Sequence, residues 1–106
     1  MRIRHLRSAR TDLVEILTDV TRQSGSLSVG RRFIDLLRLK CATPLGLPGL
    51  LGTPRPELRR DIRSYAFRGY VIYIRYLDDR ETLEIVNILE GHADVDAHFH
   101  GAPGDA

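Results

Sequence analysis

Residues 52–91 read GTPRPELRRDIRSYAFRGYVIYIRYLDDRETLEIVNILEG, and this stretch decides the fold class. Tyr70–Tyr76 is β-branched or aromatic at every position but Arg75, a composition that suits a pleated, half-buried surface and predicts a central strand. Asp61–Phe67 and Leu83–Leu89 read as strands on either side of it. Arg68-Gly69 is a two-residue hairpin turn in which glycine supplies positive φ, and Asp78-Asp79-Arg80-Glu81 is the second turn. Because side chains alternate along a strand, Ile72, Ile74 and Tyr76 share one face, and Val71, Tyr73 and Arg75 share the other. The first face is predicted to pack on helices, and the second to keep polar and aromatic groups near solvent.

The helices lie upstream. Arg2-Ile3-Arg4-His5-Leu6 alternates as a short strand, after which Ser8 reads as an N-cap. Leu13, Ile16, Leu17 and Val20 follow at helical spacing and form one apolar stripe. Gly25 suits a left-handed C-cap and Ser26 the N-cap of a second helix over 27–43, which Pro44 ends. Val29, Phe33, Leu36, Leu37 and Lys40 mark one face of that helix. Ile34, Leu39 and Cys41 widen it, so the helix is predicted to need cover on two sides. So short a break between two helices predicts an antiparallel hairpin. Residues 44–56 form a Pro/Gly-rich connection whose Leu45, Leu47, Leu50 and Leu51 pack on the domain edge or offer a docking patch. The predicted fold is thus α+β: an N-terminal strand, an antiparallel helix hairpin and a three-stranded antiparallel meander. Residues 1–99 make one domain, with a loose tail over 100–106.

Composition narrows the function. The chain has 106 residues and a formal net charge of +2, room for one domain and one core. Residues 1–80 hold all 16 Arg and Lys against 8 acids, whereas residues 81–106 hold 6 acids and no Arg or Lys. The basic body can attract nucleic acid or an acidic protein segment, and the acidic end can cover it. No run reaches the length of a signal peptide or a membrane span, so the expectation is a cytoplasmic protein. Cys41 stands alone and reads as a small core residue.

Catalytic and cofactor motifs are lacking. His92, His98 and His100, with Asp94 and Asp96, have the spacing H-x5-H-x-H, which does not match a zinc site, so no metal is expected. No G-x-S-x-G elbow is present, and Gly46, Gly49 and Gly52 lack the Lys-Ser/Thr of a phosphate loop, so no cofactor is expected. Arg59, Arg60, Arg63, Arg68 and Arg75 beside Tyr65 and Tyr73 remain, a basic and aromatic set suited to RNA or to protein docking. Taken singly, each arginine is better explained by a solvated strand face with cross-strand ion pairs to Asp61, Glu84 or Glu90.

The order of these parts resembles the RelE/ParE superfamily of toxins. Ser8-Ala9-Arg10-Thr11-Asp12-Leu13, Gly52-Thr53-Pro54-Arg55-Pro56-Glu57-Leu58-Arg59 and Ile62-Arg63-Ser64 are similar to its first helix, linker and following strand. Gly69-Tyr70-Val71-Ile72-Tyr73-Ile74-Arg75 and Ile85-Val86-Asn87-Ile88-Leu89-Glu90-Gly91-His92 resemble its central and last strands. The likeness runs from residue 1 to about residue 99.

Within the superfamily, the RelE branch cuts messenger RNA on the ribosome with Arg, Lys and Tyr side chains over the sheet. This chain has Val71, Ala93 and Phe99 where that branch has an arginine, a basic residue and a tyrosine, and Ile62 and Ser64 where lysines lie. The resemblance therefore implies a ParE-type toxin that binds and traps DNA gyrase without catalysis. It also implies a ParD-type antitoxin that wraps the toxin in a hetero-oligomer. No membrane or sequence-specific nucleic-acid partner is expected. Arg59, Arg63, Tyr65, Tyr73 and Arg75 are the expected partner-binding residues. The alternatives are a RelE-like endonuclease and a non-toxic interaction module from a degenerate toxin locus.

Overall fold

The computed structural model describes residues 2–42, 51–77 and 81–100, without the side chains of Asp96, His98 and His100. In chain order the elements are β1 (Arg2–His5), α1 (Arg7–Ser24), α2 (Leu27–Cys41), β2 (Thr53–Pro54), β3 (Ile62–Phe67), β4 (Tyr70–Tyr76), β5 (Thr82–Glu90) and α3 (Val95–His100). The α+β reading holds, with a larger sheet than expected. Its order is β1-β5-β4-β3-β2, in which β2 extends the meander to four antiparallel strands and β1 joins β5 in parallel. Pro44, Leu45, Leu47, Leu50, the turn at 78–80 and the tail at 101–106 lie outside the described residues.

Local chemistry sets the boundaries. Gly25 ends α1 at φ 72° and donates its N–H to Thr21 O, and Ser26 Oγ accepts from Val29 N to begin α2. Arg68 and Gly69 both take positive φ, 50° and 87°, giving the β3–β4 turn a twist that matches its strands. Gly52, at φ 89°, approaches β3 so closely that a Cβ would stand 2.8 Å from Ser64 O.

The sheet carries a core on each face. Towards the hairpin, Leu13 and Ile16 of α1 and Leu37 and Cys41 of α2 pack on Ile72, Ile74, Leu83, Ile85 and Ile88, with Ile3, Phe33 and Tyr76 around them. Helix α2 is covered by both α1 and the sheet, as expected, yet Leu27, Val29 and Leu39 of its wide apolar surface stay exposed. Gly30 is buried where the helices meet, and a Cβ there would collide with the Thr21 hydroxyl and stand 3.3 Å from Leu17 O. The expected solvent-facing side holds a second core instead, formed by Leu6, Leu58, Ile62, Tyr73, Val86, Leu89 and Phe99. The apolar Val95-x3-Phe99 spacing makes the chain after Asp94 a short helix that seals this face.

A bulge shapes β5. Tyr73 pairs with Asn87 and Ile74 with Ile85, leaving Val86 as the extra residue. Strand β1 reaches only Ile85, so the remaining edge of β5 needs other partners. Helix α1 supplies them: Ser8 Oγ donates to Val86 O (2.5 Å), and Asp12 Oδ2 accepts from Ile88 N and Asn87 Nδ2 (both 2.9 Å). Ser8 is therefore not the N-cap that its sequence context suggested. Leu6 occupies that position without a side-chain bond, because the Ser8 hydroxyl meets the strand edge.

Candidate functional site

Strand β4 carries the site on its second face. The Tyr73 ring lies 5.2 Å from that of Phe99 at 59°, and the Arg59 guanidinium sits 5.4 Å from the Phe99 centroid. Asp94 holds the start of α3 by accepting from Ala97 N at 3.2 Å. Arg55 donates to Glu57 (2.6 Å) and to Ser64 Oγ (3.3 Å) beside the Tyr73 phenol. Burial raises the Tyr73 pKa and the neighbouring Arg55 opposes the shift, so the phenol stays protonated. The bond from Arg55 lowers the Glu57 pKa.

Next to this lies a charge ladder fixed by strand register. Arg4 and Arg75 both stand opposite Glu84, from β1 and β4 respectively. Arg75 donates Nε to Glu84 Oε1 at 2.9 Å and makes a second bond through Nη2 to the same oxygen. Arg4 approaches Glu84 Oε2 at 3.5 Å, and Asp61 lies 3.9 Å from Arg75. The Glu84 side chain is only 5% exposed, so these cations are what permit its burial.

The five residues singled out from sequence do not form one patch. Arg59, Tyr73 and Arg75 belong to the second face. Arg63 and Tyr65 pair with Ile74 and Ile72 and so share the hairpin face. Arg63 donates Nε to Leu51 O (2.9 Å) and Nη2 to Gly52 O (2.7 Å), anchoring the linker where it enters β2. The Tyr65 hydroxyl donates to Lys40 O at 3.1 Å, and burial raises its pKa. Cys41 is fully buried, and burial pushes its thiol up to about 11, so it remains an unreactive core residue.

Sequence reasoning missed a second surface. Leu36, Leu39, Lys40, Phe67 and Arg68 line a hollow of about 180 Å³ between the end of α2 and the β3–β4 turn. Phe33 stacks on Phe67 beneath it, with centroids 6.5 Å apart, and Arg68 covers the Phe67 ring at 5.3 Å. The signal was Leu39, which the pattern assigned to the core and which is 69% exposed.

A helix hairpin packed on a sheet built around an antiparallel meander is consistent with the RelE/ParE-like fold, though the meander has four strands and the sheet is mixed. The family model of the ParE toxin of the type II toxin–antitoxin system, parDE, matches residues 3–95, and the chain belongs to this family. It is accordingly a toxin of the type II class, whose members pair with an antitoxin. A comparison with curated proteins gives no match. Among the described residues, no helix is long and apolar enough to cross a membrane.

Proposed function

We propose that the chain is a non-catalytic toxin that arrests DNA gyrase by binding it, and that a ParD-type antitoxin holds it inactive in a cytoplasmic hetero-oligomer. The observation that carries this reading is the engagement of the sheet's arginines. Phosphodiester cleavage needs guanidinium and proton-transfer groups directed at the scissile phosphate. Arg63 instead binds two linker carbonyls, Arg75 binds Glu84, and Arg55 binds Glu57 and Ser64. Ile62 and Phe99 are core residues at positions where the cleaving branch carries a lysine and a tyrosine. The hollow at Leu36, Leu39 and Phe67, flanked by Lys40 and Arg68, suits an amphipathic antitoxin segment with apolar anchors and acidic flanks.

A gyrase supercoiling assay run beside an in vitro translation and RNA-cleavage assay tests the reading. Loss of supercoiling with intact messenger RNA is expected. Site-specific RNA cuts with normal supercoiling would overturn it in favour of an endonuclease. Silence in both assays, with no growth arrest on expression, would leave a non-toxic interaction module.

A further inference from the structure

The sheet closes two of its margins and leaves a third open. Strand β2 is two residues long and Pro54 has no N–H to offer, which blunts that edge. The stretch of β5 beyond Ile85 is occupied by Ser8 and Asp12 of α1. Strand β1 is the other outer strand. Its Arg2 N–H bonds Glu81 O at 2.7 Å and the adjoining Leu6 N–H bonds Ile85 O at 3.0 Å, so the even-numbered residues direct their main-chain groups at β5. The N–H and C=O groups of Ile3 and His5 consequently face outward. Among the described residues, that side carries one bond, from Arg10 Nη1 to His5 O. Ile3 N–H, Ile3 C=O and His5 N–H remain as a free row.

The side chains beside this row carry one sign of charge. Residues 1–11 contain Arg2, Arg4, Arg7 and Arg10 and no acid. Arg2 and Arg4 are exposed on one face of β1, and Ile3 lies between them on the other. Glu84, next to Arg4, is 5% exposed and already shared with Arg75, and among the described residues Arg2 is in no ion pair. Arg2, Ile3, Arg4, Leu77 and Thr82 line a groove of about 330 Å³ at the start of the edge.

We propose that the β1 edge receives an extended acidic segment of a partner chain as an added strand. An occupant that satisfies both N–H and C=O groups at strand spacing is a polypeptide backbone. Its side chains must alternate, with acids beside Arg2 and Arg4 and apolar groups beside Ile3 and His5. A second copy of this chain does not meet that requirement, because antiparallel pairing about Ile3 sets Arg2 of each copy against Arg4 of the other. The edge is separate from the hollow at Leu39, and its use does not depend on gyrase being the target.

The experiment is amide exchange followed by NMR on the full chain, with a terminally blocked hexapeptide of alternating glutamate and valine as the probe. In the free chain the Ile3 and His5 amides are expected to exchange fast and the Arg4 amide slowly. The peptide is expected to slow Ile3 and His5 about tenfold or more and to leave Arg4 unchanged. Two further peptides carry N-methyl groups on the valine or on the glutamate amides, and one of the two is expected to lose the effect, since one set of amides faces β1. A lysine–valine peptide, and the Arg2→Glu chain with the original peptide, are each expected to bind about tenfold more weakly, with circular dichroism unchanged. Equal binding of the lysine peptide would overturn the acidic partner, and full activity of both methylated peptides would overturn strand addition. Ile3 and His5 amides already protected in the free chain, with a dimer in sedimentation, would assign the edge to a second copy instead. Amides that no peptide protects would overturn the site.

Discussion

The Asp12 carboxylate of α1 accepts the backbone amide of Ile88 at 2.9 Å, joining two residues 76 positions apart at the edge of β5. The same oxygen accepts from Asn87 Nδ2, and Asp12 is 8% exposed. Asp12→Ala leaves a buried amide and a buried side-chain donor unpaired. A loss of about 2–4 kcal/mol is expected, since removing a charged acceptor also strands its donors. Asp12→Asn keeps one acceptor oxygen and is expected to lose less. Urea unfolding of the two variants checks the order; equal losses would mean that the carboxylate charge, not the geometry, holds the edge.

Arg75 makes a different kind of contribution, because it neutralises a buried acid. Arg75→Ala leaves Glu84, among the described residues, with only the more distant Arg4 and is expected to cost about 3 kcal/mol. Replacing both partners with apolar residues, Arg75→Met with Glu84→Leu, is expected to recover most of that loss, because no charge then stays buried. Thermal unfolding of the single and double variants measures the coupling. Simple additivity of the two changes would contradict the ladder.

Gly30 and Thr21 set how closely the two helices approach. Ala normally favours a helix over Gly by about 1 kcal/mol. At position 30, however, the added Cβ meets the Thr21 hydroxyl and crowds Leu17 O. Gly30→Ala is therefore expected to destabilise by about 1–2 kcal/mol net. Thr21 Oγ1 is buried without a partner, so Thr21→Ala removes both the obstruction and an unsatisfied group. The double variant is expected to exceed Gly30→Ala in stability, as read from denaturant midpoints; a double variant weaker than Gly30→Ala would place the collision elsewhere.

The pH dependence follows from His5. Its folded pKa lies below its unfolded value, so the unfolded state binds the proton more readily. The contribution is fully present above about pH 6.5, the unfolded reference, and is lost as pH falls from there through the folded pKa. Melting temperatures measured from about pH 8 down to about pH 5 are expected to fall more steeply for the natural chain than for His5→Gln. Parallel curves would remove His5 from the acid response.

What was legible in the sequence was local. Gly25-Ser26 and Arg68-Gly69 announce cap and turn because one residue's allowed φ decides each, and the alternation of β4 sorts Ile72 from Tyr73 without reference to any other element. The remainder depends on partners distant in the chain. Ser8 looks like a cap until the edge of β5 lies beside it, and the bulge at Val86 has no signature of its own. Tyr65 and Tyr73 read as one aromatic group, yet their register places them on opposite faces. The arginines were identifiable as a set, but their division between linker, acid and solvent was not, because that division depends on which carbonyls and carboxylates folding brings near.

The pairing of β1 with β5 also governs when the protein can exist at all during synthesis. The first strand emerges from the ribosome with no neighbour, since its parallel partner spans residues 82–90 of 106. Both cores likewise wait for Leu83, Ile85, Val86 and Leu89. Contacts of such long sequence separation form late and together. A nascent or prematurely terminated chain lacking β5 consequently has no finished sheet and neither core complete. Any activity that needs the finished sheet is thereby tied to synthesis of β5, and ribosome-bound chains ending before residue 82 are expected to remain fully open to protease.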